Sequence, residues 1–294
     1  MKKIYHFKKL SLLLLLFFLF TSLDAAIVTS VASGNWNVAG TWDVGIPGAS
    51  DDVVIASPHT VTINTTQTCD ELDINSGGTL DIQTSANLTA ANHVYVYGTL
   101  TMSAGILNAG SAIAKFFHIN GGTINFSGGT INVGGRYKQN NGAISNLSGS
   151  GIINVSTAGE QTTASYTNFE VVGNGTFSVS NGSTVQIIIK NGNSTSTEEV
   201  IYSPGTSNFN GGSIIFENGT GISDIYIDSD EPIYKIESNI GSGVFHFATT
   251  SAFSLTDFTI TSGTAQIDAG AQISITGTAS LGSDNKLTIA STAD

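Results

Sequence analysis

After its first two dozen residues the chain is written in short apolar pulses separated by Gly, Asn, Ser and Pro. Val53-Val54-Ile55, Val61-Thr62-Ile63, Leu72-Asp73-Ile74 and Leu80-Asp81-Ile82 come first. In the last three, apolar residues alternate with Thr or Asp, the period of a strand with one face buried. The same rhythm predicts strands at 93–96, 99–102, 117–119, 123–126, 130–133, 169–172, 176–179, 184–189, 213–216, 224–227, 244–247, 257–261 and 272–275. Residues 190–211 read as the most loop-like interval. GGTINF at 121–126 is followed by GGTINV at 128–133, a spacing too short for a whole solenoid turn. It fits two successive sides of one turn, with Gly-Gly at corners where φ must be unusual.

No long segment shows helical periodicity, and a parallel sheet without helices cannot be covered in the α/β manner. The expected fold is therefore all-β, a right-handed parallel β-helix (β-solenoid) with the core inside the coil. At about 22 residues per turn and about 4.8 Å per turn, it would have about 12 turns and a length of about 58 Å. Val61, Ile63, Leu72, Ile74, Leu80 and Ile82 are expected to line one core. The alternative is an antiparallel β-sandwich, because the Asn-Gly pairs at 120–121, 141–142, 181–182, 191–192, 210–211 and 218–219 are also hairpin signals.

The stretch from Gly34 to Ile82 carries a resemblance. Trp36 and Trp42 sit in a Gly/Asn/Pro-rich opening that ends at Pro47-Gly48, before the paired pulses. Through Trp42, Pro47, Gly48, Asp52, Val53, Ile55, Val61, Ile63, Leu72, Ile74, Gly78 and Leu80, it resembles the start of parallel β-helix domains in adhesin-like secreted proteins of the Bacteroidetes type. It is also similar to the G8 domain of extracellular proteins. The likeness covers residues 33 to 102 and implies a fold and an extracellular setting, not a chemistry. Residues 26–50 are read as an N-terminal cap built on the two tryptophans, and 51–294 as solenoid. The strand rhythm of the last residues resembles the repeats that precede a sorting module in type IX secreted proteins, so the solenoid is expected to continue beyond residue 294.

Residues 1–25 read as a signal peptide: Lys2, Lys3, Lys8 and Lys9, an apolar core from Leu10 to Phe20, then Ala25 before cleavage. That core is far shorter than the roughly 20 residues of a bilayer span, so no membrane span is expected after cleavage. Among 294 residues only 11% are charged, against about 25% in an average soluble domain. Of 22 acidic and 10 basic side chains, cleavage would remove Asp24 and four lysines, leaving a charge near −15. Nucleic acid is thereby disfavoured as a partner, since phosphate contact needs a basic face. Cys69 is the one cysteine, so the exported chain has no internal disulfide. It reads as a small buried apolar residue.

Candidate chemistry is sparse. There is no G-x-S-x-G elbow, and His59, His93, His118 and His246 are scattered. His118 and His246, in FFHIN and VFHFA, are expected to stack against their neighbours. One cysteine and no H-x-x-x-H argue against zinc, and the Gly-rich segments lack the lysine of a phosphate loop. No catalytic residue, cofactor or metal is expected. The one candidate ligand-binding group is Asp224, Tyr226 and Asp228, which share a strand face while Ile225 and Ile227 point inward. A ring flanked by carboxylates suits a sugar, although about 13 Å between Asp224 and Asp228 exceeds glycosidase geometry. The bland reading is a solvated acidic turn. Tyr95 and Tyr97 form a second outward pair, expected to stack over neighbouring turns, and Thr60/Thr62 and Thr259/Thr261 are isolated T-x-T pairs. The functional expectation is a secreted or cell-surface structural or adhesive solenoid, non-catalytic, with extracellular polysaccharide or a cell-surface glycan as candidate ligand. The alternative is a polysaccharide-active β-helix lyase or glycosidase, or its accessory module, for which Lys235 near the acidic run is the best of six mature basic residues.

Overall fold

The computed structural model describes residues 25–160, 162, 167–192, 200–217, 224–248, 252–282 and 286–289. The signal peptide expected over 1–25 lies outside these residues except for Ala25. Among the described residues, 27 strands join through parallel ladders. The single antiparallel contact among them is an isolated bridge between Ser30 and Trp42. The only helical element described is a 3-10 turn at Ala39–Thr41, and no helix is long and apolar enough to cross a membrane. The chain is a β-solenoid, and the antiparallel sandwich is excluded.

Each coil has three faces. The first stacks Ile27–Thr29, Asp52–Ile55, Leu72–Ile74, Val94–Val96, Phe116–Asn120 and Arg136–Asn140. It continues through the start of Phe169–Val179, the start of Val200–Phe209 and Asp224–Ser229, reaching Lys286–Ile289 after eleven parallel steps. At about 4.8 Å per step this is about 53 Å. The second face stacks Thr60–Ile63, Thr79–Ile82, Thr99–Met102, Thr123–Phe126 and Ile144–Leu147. The third stacks Thr66–Cys69, Asn87–Ala90, Ile106–Ala109, Thr130–Val133, Ile152–Val155 and Gln186–Ile189.

These strands form because inward positions are Val, Ile, Leu or Phe and outward ones Thr, Asn or Asp, a pattern that stays in phase from coil to coil. Val61 pairs Leu80 and Ile63 pairs Ile82, and all six residues predicted to line the core are fully buried. The two GGTIN units occupy the second and third faces of one coil, as their spacing predicts. Asn-Gly pairs turn corners here, with Gly121, Asn141, Gly142 and Gly182 at positive φ. A hairpin and a solenoid corner both need that conformation, which is why the pairs could not separate the two folds. Corners also pack tightly along the stack. A Cβ on Gly98 would lie 2.3 Å from the carbonyl oxygens of Asn75 and Gly78, so no side chain fits there.

Within the interval read as loop-like, Val200–Phe209 is a ten-residue strand. Val200, Tyr202 and Phe209 point inward while Pro204 and Gly205 carry the bend between two faces. Within Val200–Phe209 the polar residues mark outward positions and a corner. Residues 193–199 lie outside those described. The sequence pattern also missed polar residues inside the core. Gln139 is buried and donates from Nε2 to the carbonyls of Ala143 and Thr176, while Ser145 Oγ donates to its Oε1 at 2.6 Å. Every polar atom of that side chain is thereby satisfied.

At the N-terminal end, Trp36 and Trp42 are 1% and 3% exposed and pack edge to face at 5.0 Å. Trp42 Nε1 donates to the Trp36 carbonyl at 2.7 Å. Among the described residues, Ile27–Thr29 and Gly34–Asn35 are paired on one side only, to Asp52–Ile55 and Thr60–Ile63. The indoles therefore lie beside the first described rungs of the stack. Trp42→Ala is expected to destabilise the chain by about 3–5 kcal/mol, the range for truncating a buried Trp. An unfolding midpoint in denaturant equal to that of the wild type would show the indole to be peripheral.

Candidate ligand-binding face

The outward side of the first face carries most of the chain's exposed chemistry. Strict register stacks Asp73, Tyr95, His118, Lys138, Glu170, Ile201 and Asp228 in one rank, each pair on successive coils. Residues scattered over 155 positions of sequence thus share one line on the surface. Beside this rank, Phe116 stacks on Arg136.

Near the start of the face is an aromatic platform. Tyr95 stacks on Tyr97 with ring centroids 6.2 Å apart and planes 16° apart, and it meets His118 of the next coil at 5.9 Å. His93 lies 5.6 Å from Tyr95 and 4.3 Å from Phe116, and the Arg136 guanidinium sits 5.7 Å over the Phe116 ring. Rather than over neighbouring turns, as expected, Tyr95 and Tyr97 stack on each other within one coil. Tyr95 meets the next coil at a tilt through His118, drawing in two imidazoles that the sequence left unconnected. Phe116 N–H donates to His93 Nδ1 at 3.1 Å, so that nitrogen carries no proton. His118 Nε2–H donates to Asn140 Oδ1 at 3.0 Å. Farther along, Glu170 accepts from Arg136 at 2.5 Å and from Lys138 at 3.1 Å, pairing one carboxylate with two cations in the middle of the face.

Partial burial perturbs the titrations of this platform, which is the signature of a candidate site. Burial, and then the Lys115 charge, holds the His93 imidazole below its ordinary 6.5. Burial likewise lowers His118, against the opposing hydrogen bond to Asn140. Burial raises Glu71 and Asp73, reinforced by Asp73 and Asp52 respectively. The Tyr95 phenol is also raised, by burial and then by Glu71.

The trio predicted from sequence stands on the same face, about 24 Å along the rank from Tyr95 at five coil steps. Asp224, Tyr226 and Asp228 are half-buried and outward, with Ile225 and Ile227 in the core. Tyr226 stacks face to face on His246 at 4.3 Å and 16°. His246 Nδ1 in turn donates to Asp268 Oδ1 at 2.9 Å. Asp224 Oδ1 accepts from the Val244 amide at 3.2 Å. Asp228 Oδ1 has no hydrogen-bond partner. Asp230 accepts from Ser203 Oγ at 2.9 Å and the Glu231 carbonyl from Ser229 Oγ at 2.8 Å, so the acidic run is partly consumed in shaping its own turn. Lys235, the best basic candidate for a lyase, pairs with Glu237 at 3.3 Å.

The second face changes the reading of the isolated threonines. Thr60, Thr79, Thr99 and Thr123 stack in register as one rank, but the rank two residues on reads Thr62, Asp81, Thr101 and Asn125. The paired array is interrupted. Cys69 is buried and unpaired, its thiol pushed up by burial and then by Asp70. Among the described residues, no group of three or more His, Cys, Asp or Glu is arranged to hold a metal.

Comparison with known proteins finds no matching family model, no matching curated protein and no matching solved structure. The parallel ladders show the β-solenoid, while the resemblance of residues 33 to 102 to G8 regions finds no support in these comparisons.

The lowered imidazoles set a pH dependence. The unfolded chain binds protons below about 6.5 that folded His93 and His118 refuse. Their contribution to stability is therefore present above that value and lost as pH falls through the folded values. Glu71 and Asp73 have the opposite sign, contributing below 4.5 and 3.8 and losing that contribution as pH rises through their raised values. Between pH 7.5 and 5.5, the wild type is expected to lose more melting temperature than a His93→Gln/His118→Gln variant. An equal loss in both would show that the imidazoles titrate as in the unfolded chain.

Proposed function

We propose that this chain is an exported, non-catalytic β-solenoid of the cell surface or its surroundings, which holds extracellular polysaccharide along its first face. The observation that carries the reading is the alignment of two aromatic platforms on that face. Tyr95, Tyr97, His93, His118 and Phe116 form one and Tyr226 with His246 the other, about 24 Å apart across coils in strict register. A rigid flat surface of this length suits an extended polymer, with rings against pyranose faces and carboxylates or amides taking hydroxyl hydrogen bonds. Asp73 flanks the first platform, and Asp224 and Asp228 flank the second. Export is supported by the basic, apolar and small-residue sequence of residues 1–25.

Binding without turnover is favoured over the lyase or glycosidase alternative by the state of the charges. Arg136 and Lys138 are held by Glu170, Lys190 by Glu217 and Lys235 by Glu237. Asp224 and Asp228 stand about 13 Å apart on one extended strand, too far for either glycosidase geometry.

The test is a glycan array and a pull-down on insoluble polysaccharides, comparing wild type with Tyr95→Ala/Tyr97→Ala and with Tyr226→Ala. Each variant is expected to weaken retention of the bound polymer by about tenfold or more, a loss of about 1.4 kcal/mol. Retention unchanged in both variants would reduce the face to ordinary surface. Reducing ends released by the wild type would mean that the chain is an enzyme.

A further inference from the structure

The corner between the second and third faces changes length abruptly. Val179 and Gln186 lie seven residues apart, whereas their partners on the next coil, Phe209 and Ser213, lie four apart. On the coil after that, Ile236 pairs Ile214, and buried Ile233 lies three residues before it. The long corner at Asn181-Gly182-Ser183 projects past the shorter ones, and a Cβ on Gly182 would meet nothing within 4 Å. Beneath the projection the surface is recessed in two lobes of about 410 Å³ each, both lined by Asn181 and Tyr234. Each volume falls in the range of about 300–1,000 Å³ typical of small-molecule sites.

The lining has a consistent chemistry. Tyr234 packs partly against the core. Unlike Tyr95 and Tyr226, it makes no ring stack or side-chain hydrogen bond among the described residues. Asn181 lines both lobes, Gln186 one and Asn210 the other, so amides face the space on each side of the ring. Ser183 Oγ, also on the lining, has no hydrogen-bond partner. The single charged residue of the lining is Lys235, and it is neutralised by Glu237. A uronic acid would meet no unpaired cation here, and an amino sugar no carboxylate.

We propose that this recess is a second saccharide site, taking a neutral oligosaccharide of at least two pyranose rings with Tyr234 between them. The inference rests on the reading that the chain meets extracellular saccharide, but it concerns a different surface. Its test therefore separates the two. The purified chain is titrated calorimetrically with mannohexaose, cellohexaose and xylohexaose, and with hexagalacturonate as the acidic counterpart. At least one neutral hexaose is expected to bind. Tyr234→Ala should weaken it by about tenfold or more, while Tyr234→Phe, which keeps the ring, should stay within about threefold. Asn181→Ala, on a projecting corner, should also weaken it and serves as the deciding variant if Tyr234→Ala fails to fold. Val44→Ala, at an exposed N-terminal position outside both surfaces, should leave hexaose binding unchanged. The proposal is overturned if no neutral hexaose binds, if hexagalacturonate binds more tightly, or if neither Tyr234→Ala nor Asn181→Ala alters the affinity. Hexaose binding that needs Tyr234, with polymer retention indifferent to Tyr95, Tyr97 and Tyr226, would keep the recess and dismiss the first face.

Discussion

Everything in this molecule depends on one constraint, that each coil must lie on the next in parallel register with its inward positions still inward on all three faces. A slip of one residue on any strand would turn its whole apolar set to water. The ladder enforces this from Val53 through Leu72, Val94, Phe117, Tyr137 and Phe169 on one inner rank of the first face. That rank begins with aliphatic side chains and becomes a run of rings, Phe117 to Tyr137 at 5.6 Å and Tyr137 to Phe169 at 4.9 Å. The outward residues obey the same register without contributing to the core, so their identities are free to carry a surface chemistry.

This division explains how much could be read from the sequence. Inward phase repeats within every pulse, and the strands at Thr99–Met102, Thr123–Phe126 and Thr130–Val133 have the bounds that the alternation predicts. The absence of any helical period left few ways to cover so many strands. Asn-Gly pairs were ambiguous for a physical reason, since hairpins and solenoid corners share the left-handed conformation. Corners built from Ser, Pro and Gly, as at Pro204-Gly205, look like loops because their strand character resides only in the flanking Tyr202 and Phe209.

The outer face was legible only where it fits within one strand. Asp224, Tyr226 and Asp228 alternate along five residues, so their shared direction follows from strand geometry. Tyr95, His118 and Glu170 lie in one rank as well, but 23 and then 52 residues separate them in sequence. Placing them together requires knowing every intervening coil length. Those lengths vary from 19 residues between Thr60 and Thr79 to 34 between Ile152 and Gln186. No local pattern encodes that sum.

The same variation separates the two kinds of surface. Along the first face, side chains line up in ranks spaced by the ladder. Where a span of seven residues is followed on the next coil by one of four, the outline steps inward and a concavity appears. A flat rank can hold an extended polymer but encloses little of it. A recess surrounds a short segment and can select it by shape. The recess follows from the number of residues spent on a corner, which differs from coil to coil while the inward ladder stays in phase. The solenoid can therefore change the outline of its surface by inserting or deleting corner residues while its inward ladder stays in phase.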